Sequence, residues 1–111
     1  MNVARALYAE GDIRDALEVL QDSDSFSLSE PDAYAFYGQV LVDAQQYDAV
    51  AKWRSKITEQ VRRYPACWIA LGSDAMYRRD YQAAIRYFAE AILREPGDEL
   101  ANYRITSALQ A

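Results

Sequence analysis

Trp68-Ile69-Ala70-Leu71-Gly72-Ser73-Asp74-Ala75-Met76-Tyr77 is followed by Arg78-Arg79-Asp80, and then by Tyr81-Gln82-Ala83-Ala84-Ile85-Arg86-Tyr87-Phe88-Ala89-Glu90-Ala91-Ile92. In the first segment Trp68, Leu71, Gly72 and Ala75 recur at steps of three and four residues, which places them on one helical face. Tyr81, Ala84, Ile85, Phe88, Ala91 and Ile92 do the same in the second. Asp80 stands where a helix N-cap belongs, with a carboxylate able to accept a first-turn N–H. Pro96-Gly97 closes the second helix, because proline lacks the N–H to continue it and glycine turns the chain easily. The stretch reads as helix–turn–helix. A glycine inside a helix costs ~1 kcal/mol relative to alanine, so Gly72 predicts a close approach of two helix backbones.

Outward from this stretch the chain repeats itself. A shift of 34 residues, with no gap, brings Tyr34 onto Trp68 and Gly38 onto Gly72. It also aligns Leu7, Leu41, Ala75 and Leu109; Ile13, Tyr47 and Tyr81; Ala16, Val50 and Ala84; and the small residues Ala4, Gly38, Gly72 and Thr106. Matched columns at one fixed period mark a repeat architecture. The first unit turns at Gly11-Asp12. Asp22 to Glu30 form the longest loop, and Ser29 with Asp32 suggests a capping box opening the next helix. Tyr47, Val50, Trp53, Ile57 and Val61 mark the second helix of the second unit, which is expected to run on toward Arg63. A last helix starts near Glu99.

The pattern resembles the tetratricopeptide repeat family, whose unit is a 34-residue helix–turn–helix. Trp68-x-x-Leu71-Gly72, Ala84-x-x-x-Phe88 and Pro96 match the family pattern at its spacing. Ala75 departs from it, and so do Arg54 and Arg62, which stand where Phe88 and Pro96 stand one unit later. Trp53 is expected to supply the bulk missing at Arg54. The resemblance implies an all-α fold of about seven helices in a short right-handed superhelical array. Its units would be 1–30, 31–64, 65–98 and a partial fourth at 99–111, together one domain. Because the fourth unit lacks its second helix and the first lacks its opening, the chain is expected to be a piece of a longer one.

Composition narrows the chemistry. The 111 residues contain no histidine and one cysteine, Cys67. A Ser-His-Asp or Cys-His catalytic system is excluded, an intrachain disulfide is impossible, and His/Cys metal ligands are all but lacking. No catalytic residue, metal site or cofactor is expected. Cys67 reads as a packed residue. Asp12, Asp15 and Glu18 read as acids at a helix N-terminus, where they suit the macrodipole. No apolar run approaches the ~18 residues of a membrane span, and the first ten residues carry no signal-peptide-like apolar stretch. A soluble chain, cytoplasmic by default and without membrane contact, is expected.

The resemblance also assigns a face. In the family the first helix of each unit lines the concave side, which here implies a groove with Asp32, Ala35, Gln39, Val42, Asp43, Ala66, Ile69, Ala70, Ser73, Met76 and Tyr77. Arg5 and Tyr8 would join it from the first helix, and Tyr103, Arg104 and Ser107 from the last. Arg5 and Arg104 would hold a carboxylate or another anion. The Lys/Asn carboxylate clamp of one subclass is missing, since its positions hold Arg5, Phe36, Gln39, Ala66 and Ala70. The function implied is non-catalytic binding of a peptide or helix of a partner protein.

The alternative rests on charge. Residues 1–48 hold two cations and ten acids, a net −8, whereas 49–94 hold nine cations and four acids, a net +5. Lys52, Lys56, Arg62, Arg63, Arg78 and Arg79 would form a basic patch for a polyanion, with nucleic acid disfavoured by the overall pI near 4.6. Self-association through the truncated last helix is a further expectation, because Leu100 and Tyr103 leave apolar surface outside the face that Ala101, Ile105, Ala108 and Leu109 turn to the preceding pair.

Overall fold

The computed structural model describes residues 2–22 and 30–111. Among them the chain forms helices and no strand. The helices are α1 (Asn2–Ala9), α2 (Ile13–Asp22), α3 (Pro31–Asp43), α4 (Tyr47–Ser55), α5 (Pro65–Tyr77), α6 (Tyr81–Arg94) and α7 (Glu99–Gln110), with a 3-10 turn at Val61–Arg63. The all-α class expected from the sequence is what the chain adopts. The body of the 22–30 loop and Ser29, the expected cap, lie outside the described residues. Glu30, not Ser29, precedes α3, its side chain does not cap, and Pro31 opens the helix.

The turns within the pairs α1–α2, α3–α4 and α5–α6 share one backbone solution. Gly11, Gln45 and Arg79 take positive φ values of 89°, 61° and 63°. Each is followed by an N–H that reaches back five residues: Asp12 to the Leu7 carbonyl, Gln46 to Leu41 and Asp80 to Ala75, at 2.8, 3.0 and 2.9 Å. These are the carbonyl ends that a left-handed residue after a helix satisfies. The 34-residue spacing of the sequence is thus a spacing of turns. Only Gly11 has the residue type the conformation favours; a side chain in this region costs roughly 1–2 kcal/mol. Gln45→Gly and Arg79→Gly are each expected to stabilise the chain by about 1 kcal/mol. Chemical denaturation checks this, and an unchanged or lowered midpoint would contradict it.

The turns fold α1 on α2, α3 on α4 and α5 on α6, while α3 packs on α5 and α5 on α7. α3 and α5 are apolar around most of their circumference, as central helices must be. Gly38 and Gly72 are where the second helix of each pair drives a ring into the first. A Cβ on Gly72 would lie 2.5 Å from Phe88 Cε1, and one on Gly38 would fall against Cε2 and Cζ2 of Trp53. The glycines therefore make room for aromatic side chains, not for backbones as the small-residue column suggested. Trp53 does replace the phenylalanine missing at Arg54, one residue early. Arg54 reaches instead to the buried Asp74, 3.2 Å away, which Arg78 also holds at 2.7 Å.

Trp53 and Tyr34 lock each other. The indole Nε1–H donates to the Tyr34 carbonyl and the Tyr34 hydroxyl to the Trp53 carbonyl, both at 2.8 Å. The rings stack with centroids 5.8 Å apart. The Trp53 carbonyl accepts both the Tyr34 hydroxyl and the Lys56 N–H, the latter at 3.1 Å, where α4 comes to its end. α4 ends at Ser55, short of the expected run to Arg63. Val61 re-enters the core from the 3-10 turn, and its N–H finds Thr58 Oγ1 at 3.4 Å. Asp80 and Asp98 cap α6 and α7 by accepting from Ala83 and Ala101 N–H. On α7, Ala101 and Ala108 are buried, but Leu109 is 65 % exposed and does not face the preceding pair as the pattern suggested.

Candidate functional site

The odd-numbered helices contribute to one shared face, and a polar network closes its middle. Asp43, the last residue of α3, receives a bidentate contact from Arg104 on α7: Nη1 to Oδ1 at 3.1 Å and Nη2 to Oδ2 at 3.0 Å. Arg104 Nη1 also donates to Ser73 Oγ on α5. The Tyr8 hydroxyl on α1 donates to Asp43 Oδ2, and Gln39 Nε2 donates back to Tyr8 Oη at 2.7 Å. Arg104 Nη2 lies 3.5 Å from the same oxygen. Three helices meet at a single carboxylate, and α5 joins them through Arg104. Planar guanidinium on carboxylate is the strong form of this contact.

The network changes the expected role of its members. Arg104 was to hold a ligand's anion; its fork is filled by the chain's own Asp43. Gln39, Ile69 and Ser73 were groove residues, and they are buried to within a few per cent. Ala35, Val42 and Ala70, placed in the groove with them, are fully buried. Burial raises the Tyr8 phenol well above its ordinary value, and the Asp43 charge adds to this. Burial lowers the Arg104 guanidinium, but the Asp43 contacts outweigh it and the group stays charged.

On either side of the network a cleft remains. The C-terminal cleft, about 380 Å³, is lined by Asp43, Ser73, Met76, Tyr77, Phe88, Arg104 and Ser107. Tyr77 is half exposed at its lip and meets Tyr47 edge-on at 5.4 Å. The N-terminal cleft, about 330 Å³, has Arg5, Tyr8, Phe36, Gln39, Tyr64 and Ile69 in its walls, with the carboxylates of Asp32, Glu95 and Asp98. Arg5 lies over the Phe36 ring at 4.7 Å and makes no ion pair with a described residue. Of the expected groove, Arg5, Tyr8, Asp32, Gln39, Ala66 and Ile69 line the N-terminal cleft, and Asp43, Ser73, Met76, Tyr77, Arg104 and Ser107 the C-terminal one. Tyr103 lines neither; it is 71 % exposed.

Glu95, Asp98, Tyr64 and Pro65 were missed as site residues. Glu95 carried a signal: it follows α6 directly, where an acid opposes the macrodipole.

The basic patch does not assemble. Arg62 and Arg63 precede α5 and Arg78 and Arg79 follow it, so about 20 Å of helix separates the two pairs. Lys52 is on α4 and Lys56 just past it, not on a helix continuing to Arg63. Arg78 is paired with Asp74. Arg62 and Arg63 share a cleft with Arg94 and Glu59, where Arg94 is engaged by Glu90 at 2.7 Å, by the Arg62 carbonyl and by the Trp68 face.

Cys67 is fully buried on α5, and burial pushes its thiol up to about 11. Such a thiol is protonated at neutral pH and is a poor nucleophile. Among the described residues no group of three or more His, Cys, Asp or Glu is placed to hold a metal ion. No helix among them is long and apolar enough to cross a membrane. Compared with known proteins, the chain matches no family model and no curated protein.

The phenols give a pH dependence with a defined sign. Tyr34 is raised from 10 to about 12, chiefly by burial, and Tyr8 is raised in the same direction. Both are favoured neutral in the folded chain. Their contribution to stability is intact below pH 10 and is lost as pH rises from 10 toward 12, because the unfolded chain ionises first. The denaturation midpoint is expected to fall over that window, with tyrosinate absorbance appearing together with unfolding. A flat midpoint would contradict the burial of both hydroxyls.

Proposed function

We propose that the chain is a tetratricopeptide-type array, three helix–turn–helix units and the first helix of a fourth, wound as a short right-handed superhelix. It acts without catalysis, by holding a segment of a partner protein against the face shared by α1, α3, α5 and α7. The observation that carries this reading is two clefts on one face, flanking a network that joins all four helices. Such a face is pre-organised, so little ordering cost falls on binding. Met76 and Tyr77 offer adaptable apolar contact in one cleft, and a few fixed polar groups orient the ligand.

Selection of peptides from a random library on the folded chain tests the proposal. Selected peptides should lose at least tenfold in affinity, about 1.4 kcal/mol, on Met76→Glu or Tyr64→Glu, one substitution in each cleft. Leu93→Glu, on the exposed side of α6, should leave them unaffected. Peptides that ignore both cleft variants but are lost with Leu93→Glu would place the binding surface elsewhere. Failure to select any peptide would overturn the proposal.

A further inference from the structure

We propose that the N-terminal cleft is a cation site, and that it takes the guanidinium or ammonium side chain of a basic segment of a partner protein. The inference deepens the proposed function and rests on it.

Three observations converge. The first is an unused acceptor deep in the cleft. Gln39 is 94 % buried, lines the cleft, and makes a single side-chain hydrogen bond, from Nε2 to Tyr8 Oη. Its orientation is fixed by chemistry. Tyr8 gives its proton to Asp43, so the group that Gln39 turns to Tyr8 Oη must be the NH₂ donor. Oε1 is left with no partner among the described residues. No buried side-chain oxygen among the described residues is sealed off without a partner, so Oε1 reaches the cleft space. A buried amide oxygen open to a cleft calls for a donor.

The second is charge. Asp32, Glu95 and Asp98 line the cleft against one cation, Arg5. Asp32 and Asp98 also serve helix starts: their Oδ1 atoms accept from Ala33 and Ala101 N–H at 2.9 and 3.0 Å. The second oxygen of each has no partner among the described residues. Glu95 has no such local duty. It caps the C-terminal end of α6, where the macrodipole disfavours it, and its carboxylate has no partner among the described residues. The cleft therefore holds negative charge that the fold does not consume.

The third is a precedent built into the chain. The Arg5 guanidinium already lies over the Phe36 face at 4.7 Å, a favourable cation–π position. Tyr8 and Tyr64 extend that aromatic wall. Arg5 thus occupies part of the surface on which an incoming cation would settle, and the pattern of acceptors and rings suits donors, not anions. This reverses the anion-holding role first assigned to Arg5.

Fluorescence anisotropy of a labelled octa-arginine peptide with the full chain at physiological salt tests the proposal. Saturable binding is expected, weakened ~10-fold or more by Glu95→Gln, because a charge-assisted hydrogen bond is lost. Glu59→Gln, which removes an exposed acid from the cleft of Arg62, Arg63 and Arg94, should change nothing. Arg5→Ala should tighten binding by uncovering Phe36. The Gln39 side-chain amide resonances should shift at saturation, and a labelled octa-glutamate peptide should not bind.

Equal losses in Glu59→Gln and Glu95→Gln would mean diffuse attraction to a net charge of −5 and would overturn the site. Absence of binding, or binding of octa-glutamate, would also overturn it. The two readings fail separately. Library peptides that need Met76 but ignore Glu95→Gln remove the cation site and leave the interaction module. Octa-arginine binding that depends on Glu95, in a chain that selects no library peptide, removes the module and leaves the site.

Discussion

Gly38→Ala is expected to destabilise the chain by about 3 kcal/mol, near the upper end of what overpacking costs. The sign is the informative part. In an exposed helix the same change is worth about 1 kcal/mol in favour of alanine. Here the new methyl meets Cε2 and Cζ2 of Trp53, and Trp53 is 2 % exposed and fastened at both ends to Tyr34. The ring has no free direction in which to yield. A loss of that size lowers the melting temperature by roughly 10–20 °C in a domain of about 100 residues. In a Trp53→Leu background the clash disappears, and Gly38→Ala should cost little or stabilise. A double-mutant cycle therefore reads a large coupling energy. Equal costs in both backgrounds would mean that the glycine is needed for something other than the ring. Gly72→Ala meets the edge of Phe88 and should follow the same pattern.

The second large effect is Asp43→Ala. It removes the acceptor shared by Arg104 and Tyr8 and leaves a guanidinium whose side chain is 22 % exposed facing Ser73 Oγ and a phenol. Breaking one side of a buried pair costs 3–5 kcal/mol, and the partial exposure of Arg104 puts the expected loss near ~3 kcal/mol. Arg104→Ala should likewise lower stability, because it leaves the Asp43 carboxylate without its guanidinium. Replacing the pair together, Asp43→Leu with Arg104→Met, should recover most of the loss, because the desolvation cost of both charges is removed at once. Thermal denaturation of the three chains decides it. An Asp43→Ala chain as stable as the parent would show the network to be a surface contact only.

The helices and turns were legible in the sequence because their causes are local. The columns Leu7/Leu41/Ala75 and Gly38/Gly72 mark positions that a turn and a ring each require, and Asp80 caps where its residue type says it should. The end of α4 was not legible, because no glycine or proline stands near Ser55 and Lys56 to mark it. The network was half legible. The resemblance to the repeat family implied one face for Tyr8, Gln39, Asp43, Ser73 and Arg104, but nothing in it says that Arg104 would close on Asp43 across 61 residues instead of waiting for a ligand. Glu95 was missed because an acid after a helix is read as loop polarity.

Tyr8 and Arg104 meet although 96 residues separate them, and this contact bears on how the chain comes apart. An array whose units touch only their neighbours can be treated as a line of dominoes, fraying from either end with energies that add along the line. A tie from the first helix to the last turns that line into a loop. Fraying of α1 or α7 alone then forfeits contacts to Asp43 on α3 as well. Amide exchange in the two end helices should therefore be slower, and closer to that of α3 and α5, than a linear stack would allow.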